Sequence, residues 1–161
     1  MSEIRAETIG NLNAGDKFTI TRTFTEKDMI AFAGVTRDYN PVHFDDRFAR
    51  GKHFQDRICH GLLTAGMVTE IGGQIGWLAA QMNFEFKKPV YFGDTITCFF
   101  TITEVDEHGW ARADAYMQNQ DGLTVVKAWI TGRLPSDQDI DVLKAMVAEG
   151  DPTNGLRTSR E

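Results

Sequence analysis

Residues 37–43 read Arg-Asp-Tyr-Asn-Pro-Val-His. A carboxylate, Asp38, and an imidazole, His43, stand close in sequence, with Asn40 and Pro41 between them. A carboxylate and an imidazole that share one water can do acid–base work near neutral pH, one taking a proton from water and the other delivering one to a neighbouring carbon. Proline fixes its own φ and drives Asn40 out of the helical region. The stretch therefore reads as a structured loop whose bend turns both side chains the same way. A hydrogen-bonded turn without catalysis uses the same residue types, and spacing alone leaves both readings open.

A second stretch, Cys59-His60-Gly61, stands before an apolar run. A glycine at a helix entrance leaves a backbone N–H without an intrahelical acceptor, at the positive end of the dipole. That suits an oxyanion such as a thioester enolate; the alternative is a tight loop-to-helix turn. His60 reads either as a cap or orienter of the loop or as a buried, satisfied histidine. Asp38, His43, Cys59 and His60 match no familiar zinc spacing, so no metal is expected. Gly72-Gly73-Gln74-Ile75-Gly76 is not a dinucleotide fingerprint, because no strand precedes it in a βαβ unit. No cofactor is expected. Arg47, Arg50, Lys52, His53 and Arg57 form either a solvated loop or a patch for a phosphate-bearing ligand.

The elements that must position these groups follow from periodicity. Lys17–Thr23 alternates as a strand. Thr25 and Asp28 form a capping box ahead of Met29, Ile30, Phe32 and Ala33, with Gly34 as the stop. Asp45 or Asp46 caps a short helix ending near Gly51. Gly61 to Gln74 is apolar on most sides and reads as one buried helix, with Trp77 to Gln81 a connection. Asn83–Phe86, Thr95–Val105, Trp110–Asn119 and Leu123–Leu134 read as strands, the last two joined at Asp121-Gly122 by a type I′ hairpin. Ser136 and Asp139 cap a final helix that Gly150 and Pro152 end, followed by a disordered tail. Long antiparallel strands after one buried helix predict an α+β layer with the sheet wrapped around that helix.

The chain has 161 residues, the length of one domain. Its 17 basic and 23 acidic residues give a net charge of −6, which argues against a nucleic-acid partner. Two cysteines without a CxxC spacing predict a reduced, cytoplasmic chain. No stretch approaches the roughly 20 apolar residues of a membrane span, and no membrane partner is expected.

Phe32 to His43 resembles the signature of the MaoC-like (R)-specific enoyl-CoA hydratases and dehydratases. His60-Gly61-Leu62-Leu63 is similar to that family's next landmark, and Phe86-Lys87-Lys88-Pro89-Val90-Tyr91-Phe92-Gly93-Asp94 to its third. The likeness covers about residues 15–135. It implies a hot-dog fold over residues 1–135, with 136–161 as an extension outside the match. It also implies a homodimer, sometimes built into a larger oligomer. The implied reaction is (R)-specific hydration of a trans-2-enoyl thioester, carried by CoA or acyl-carrier protein, or the reverse dehydration. By resemblance Asp38 and His43 are the catalytic pair, Gly61 N–H is the oxyanion donor, and Asn40 and His60 are supporting residues. Asp38 is expected to take the water proton and His43 to protonate C2, with roles exchangeable because one water bridges both. A hot-dog thioesterase and a non-catalytic acyl-thioester-binding module are the rival readings.

Overall fold

The computed structural model describes residues 3–10 and 12–150, which hold eleven helical and strand segments and one 3-10 turn. In chain order they begin with α1 (Glu3–Thr8), β1 (Lys17–Thr23) and α2 (Glu26–Thr36). A 3-10 turn over Pro41–His43 leads to α3 (Asp46–Gly51), α4 (Gly61–Ala65) and α5 (Met67–Ile75). Then come β2 (Leu78–Phe86), β3 (Thr95–Val105), β4 (Trp110–Gln118), β5 (Thr124–Arg133) and α6 (Asp137–Ala148). The expected disordered tail, Pro152 included, falls on residues 151–161, outside the described ones. Among the described residues no helix is long and apolar enough to cross a membrane.

The five strands form one antiparallel sheet in the order β1-β3-β4-β5-β2. Alternation selects its inner face. Ile96, Cys98, Phe100 and Ile102 of β3 are buried, with Ala113 and Met117 of β4 and Val126, Ala128 and Ile130 of β5. Met67, Val68, Ile71 and Ile75 of α5 join them in one core. Each large aliphatic side chain there contributes about 1.5–3 kcal/mol by leaving water. The sheet therefore closes around α5, as an α+β layer.

Local signals held where a short-range bond decides the element. Thr25 accepts from Asp28 N and the Asp28 carboxylate answers at Thr25 N, a complete capping box; Ser136 and Asp139 repeat it at α6. Asp45, not Asp46, caps α3, its side chain accepting from Arg47 N and Phe48 N. On α2, Ile30 faces outward while Met29 and Ala33 are buried.

Other expectations are corrected. The buried helix is two helices, because Gly66 interrupts it: Thr69 N bonds back to the Gly66 carbonyl, a three-residue return in place of the α ladder. It is also less enclosed than its composition suggests, with Leu62 59% exposed. α2 passes Gly34 and stops after Thr36, where Arg37 takes a left-handed φ of 58°. The supposed connection from Trp77 to Gln81 is mostly strand: β2 starts at Leu78, which pairs with Arg133, and an irregularity between Ala79 and Gln81 blurs its alternation. The Asp121-Gly122 hairpin is not type I′, since Gly122 has φ +75° but Asp121 is not in the left-handed region. Gly122 N bonds to Asn119 O and Asn119 N to Leu123 O, a type I turn closed by a left-handed glycine. An N-terminal helix, α1, was not foreseen; its Arg5 side chain donates to the Gly73 and Gln74 carbonyls at the end of α5.

Candidate active site

Asp38 follows the left-handed Arg37 that ends α2, and short local bonds aim it. Its N–H donates to Thr36 Oγ1 (3.3 Å) and its Oδ1 accepts from Asn40 N (3.2 Å). The second oxygen, Oδ2, is left facing two histidine rings, 4.0 Å from His43 Nε2 and 3.9 Å from His60 Nε2. The side chain is half exposed.

Asn40 shapes the next turn. Its Oδ1 accepts from Val42 N (3.2 Å), capping the 3-10 turn that ends in His43. Asn40 is exposed and stands outside the cavity wall, and its bond shapes the loop that carries His43. His43 is buried, and its Nδ1 lies 2.8 Å from the Ile58 carbonyl. A carbonyl only accepts, so Nδ1 carries the proton and the neutral ring turns its lone pair, on Nε2, toward Asp38. Burial holds the His43 imidazole below its ordinary value of 6.5, and the neighbouring His60 adds to this. The bond to Ile58 and the Asp38 carboxylate act against the shift. A gap of 4.0 Å is too long for a direct hydrogen bond. A gap of that length has room for one water about 2.8 Å from each atom.

Gly61 opens α4, so its N–H has no acceptor within the helix; the first returns, from Leu63 and Thr64, run to the His60 carbonyl. His60 is buried. It occupies the N-cap position without a side-chain cap bond, so the capping alternative fails. Its Nε2 lies 2.9 Å from the Asp38 carbonyl, which it serves as donor.

Asp38, His43, His60 and Gly61 thus line one cavity of about 540 Å³, together with Phe32, Thr64, Phe86 and Lys88. The sequence did not mark Ile58, whose main-chain oxygen sets the His43 tautomer, nor the Phe86 ring beside Gly61; neither has a local signal. Cys59 also lines the cavity. Burial pushes its thiol up to about 12, which removes it as a nucleophile at neutral pH.

Asp38, His43 and His60 bring ligand-type atoms within 4.8 Å of one another. The His60 nitrogen on that side donates to a carbonyl, so its lone pair is not available, and the two remaining atoms fall short of a zinc set. Two members of the basic cluster are committed to ion pairs. Arg47 pairs with Asp45, and Arg57 ties Glu26 (2.6 Å) to Asp46 (3.0 Å). His53 and His108 are exposed.

Known proteins resemble this chain in sequence and in fold. The MaoC like domain matches residues 11–124. An (R)-specific enoyl-CoA hydratase of Rhodospirillum rubrum is 33% identical over 97 residues, covering 58% of this chain and 67% of that protein. A mitochondrial 3-hydroxyacyl-[acyl-carrier-protein] dehydratase of Arabidopsis thaliana is 36% identical over 97 residues, covering 59% of this chain and 57% of its own. Among solved structures, the (R)-hydratase of A. caviae involved in PHA biosynthesis superimposes with a TM-score of 0.73 at 29% identity, over 78% of this chain and 99% of the other. An R-hydratase of Pseudomonas aeruginosa gives 0.73 at 27% identity, over 81% and 86%.

Proposed function

The chain belongs to the MaoC-like hydratase and dehydratase family and has its hot-dog fold, and on that premise we propose that it hydrates trans-2-enoyl thioesters to (R)-3-hydroxyacyl thioesters, or runs the reverse dehydration. The observation that carries this reading is the 4.0 Å gap between Asp38 Oδ2 and His43 Nε2, on the wall of a cavity that also holds Gly61.

The substrate lies with its thioester oxygen at the Gly61 N–H. One water donates one O–H to His43 Nε2 and the other to Asp38. The water oxygen bonds to C3, and the double-bond electrons move to the thioester as an enolate that Gly61 N–H stabilises. His43 takes the water proton and then returns it to C2 on the same face; the hydroxyl keeps the second hydrogen. Atoms balance as water plus enoyl thioester. The lone pair on Nε2 supports this exchanged assignment, with His43 as base and then acid and Asp38 as orienter of the water. The Asp38 carboxylate also stabilises the transient imidazolium.

The carrier is CoA or acyl-carrier protein. Lys87 and Lys88 border the cavity, which suits an anionic carrier. A homodimer joined at the sheet edge is supported by β2, an edge strand that leaves Leu78, Met82 and Phe86 exposed.

The test follows loss of the conjugated enoyl absorbance across a panel of enoyl-CoA chain lengths, with product chirality read out. Turnover to the (R)-alcohol is expected. No hydration of any member, or full activity in both Asp38→Asn and His43→Gln, defeats the reading. Release of free thiol from saturated acyl-CoA would favour a thioesterase instead.

A further inference from the structure

His60 is 2% exposed and neighbours Asp38, His43 and Gly61. Its Nε2–H donates to the main-chain oxygen of Asp38 at 2.9 Å. Its ring stacks on that of His43, with centroids 3.8 Å apart and planes at 29°. Phe32 (5.2 Å) and Phe44 (6.3 Å) enclose it. Gly61 follows it in the chain. Its Nδ1 is buried with no hydrogen-bond partner among the described residues, so the ring's polar bond there is to Asp38.

We propose that His60 is a positioning residue: one imidazole ties down the Asp38 main chain through its Nε2–H and seats the His43 ring on its face, so that carboxylate, imidazole and the Gly61 N–H are held as one unit. This rests on the hydration reading above. Asp38 needs such a tie. Its other bonds reach only two residues along the chain, at 3.2 and 3.3 Å, on an exposed loop. The His60 bond is shorter and comes from 22 residues away, so it anchors the loop to α4. His43 needs the ring face for a different reason. Its bond to Ile58 holds one atom, and a ring held at one atom still pivots. Stacking fixes the plane and with it the direction of the Nε2 lone pair. His60 does not exchange the substrate proton, because its nitrogen on the Asp38 side is already a donor.

Three variants separate the two contributions. His60→Gln keeps an N–H donor near the position of Nε2 without a ring. His60→Phe keeps the ring without the donor, and His60→Ala keeps neither. In enoyl-CoA hydration kcat is expected to fall about 10-fold in the Gln and Phe variants and about 100-fold in the Ala variant. KM is expected to stay within about three-fold, as for an interaction that orients the reacting groups without holding substrate. Wild-type kcat in His60→Phe, or a loss confined to KM, overturns the proposal. A measurement on the unaltered protein does not depend on any variant folding: nitrogen-15 NMR at neutral pH reads the ring tautomers. Nε2–H at His60 with Nδ1–H at His43 is expected, and Nδ1–H at His60 overturns the proposal. That readout needs no substrate. Wild-type protein that hydrates no enoyl thioester therefore defeats the hydration reading by itself, while the tautomers report on His60 separately.

Discussion

Phe86 lies so close across Gly61 that a β-carbon on Gly61 would stand 2.7 Å from Phe86 Cε1. The edge strand β2 thereby brings an aromatic ring onto the first turn of α4, beside the N–H that the proposed mechanism uses. This approach, and not the backbone angles, is what favours a glycine at 61. Gly61→Ala is expected to push the ring aside at a cost of about 1–3 kcal/mol. Enoyl-CoA hydration should fall about 10-fold as the donor and the wall beside it shift. Adding Phe86→Leu to Gly61→Ala should recover much of the stability. Thermal unfolding of the two single variants and the double variant gives the coupling, and a purely additive double variant would refute the contact as the cause.

Asp38→Asn and His43→Gln should each lower kcat by about 10²–10⁴-fold. Asn at 38 can still accept from Asn40 N, and Gln at 43 fills much of the ring's volume. Unfolding midpoints measured beside the kinetics should therefore move little for Asp38→Asn.

The pH dependence has a definite sign. The folded-state value of His43 lies below its ordinary 6.5, mainly through burial. Between the folded value and 6.5 the unfolded chain holds this proton more often than the folded one. The His43 contribution to stability is therefore fully present above about 6.5 and is lost as pH falls toward the folded value. The same neutral ring is the base in the proposed hydration. The acid limb of kcat/KM should therefore lie below 6.5 and its stability counterpart should disappear in His43→Gln. An acid limb above 6.5 would contradict the assignment.

Ser136→Ala removes a complete capping box from α6. A loss of about 1 kcal/mol is expected, with hydration unchanged, because α6 meets the body of the domain through Ile140 against Gly10 and Leu143 against Gly76 and contributes nothing to the cavity wall. Denaturant unfolding and steady-state kinetics on one preparation check both halves.

Much of this architecture was legible because its causes are local. Thr25 with Asp28 and Ser136 with Asp139 are three residues apart, and Asn40 caps a turn two residues on. The alternation of β3 exposes its inner face to any period-two count. The failures have different causes. The break at Gly66 is local, a glycine whose carbonyl takes a three-residue return, whereas the start of β2 at Leu78 depends on its pairing with the distant Arg133. The Asp121-Gly122 turn was misassigned because the dipeptide fits two hairpin types, and the bonds around Asn119 select between them.

The site divides in the same way. Residue types and order determined that an acid, an imidazole and a helix-opening glycine were available, and that an Asn-Pro bend lay between the first two. Which atoms face one another was decided only by the tertiary structure. The Ile58 carbonyl sets the His43 tautomer, the Asp38 carbonyl sets that of His60, and Phe86 arrives at Gly61 from the far edge of the sheet. Ring orientation and hydrogen-bond direction belong to partners distant along the chain, and a local pattern specifies periodicity and turns but not the partner that folding brings alongside.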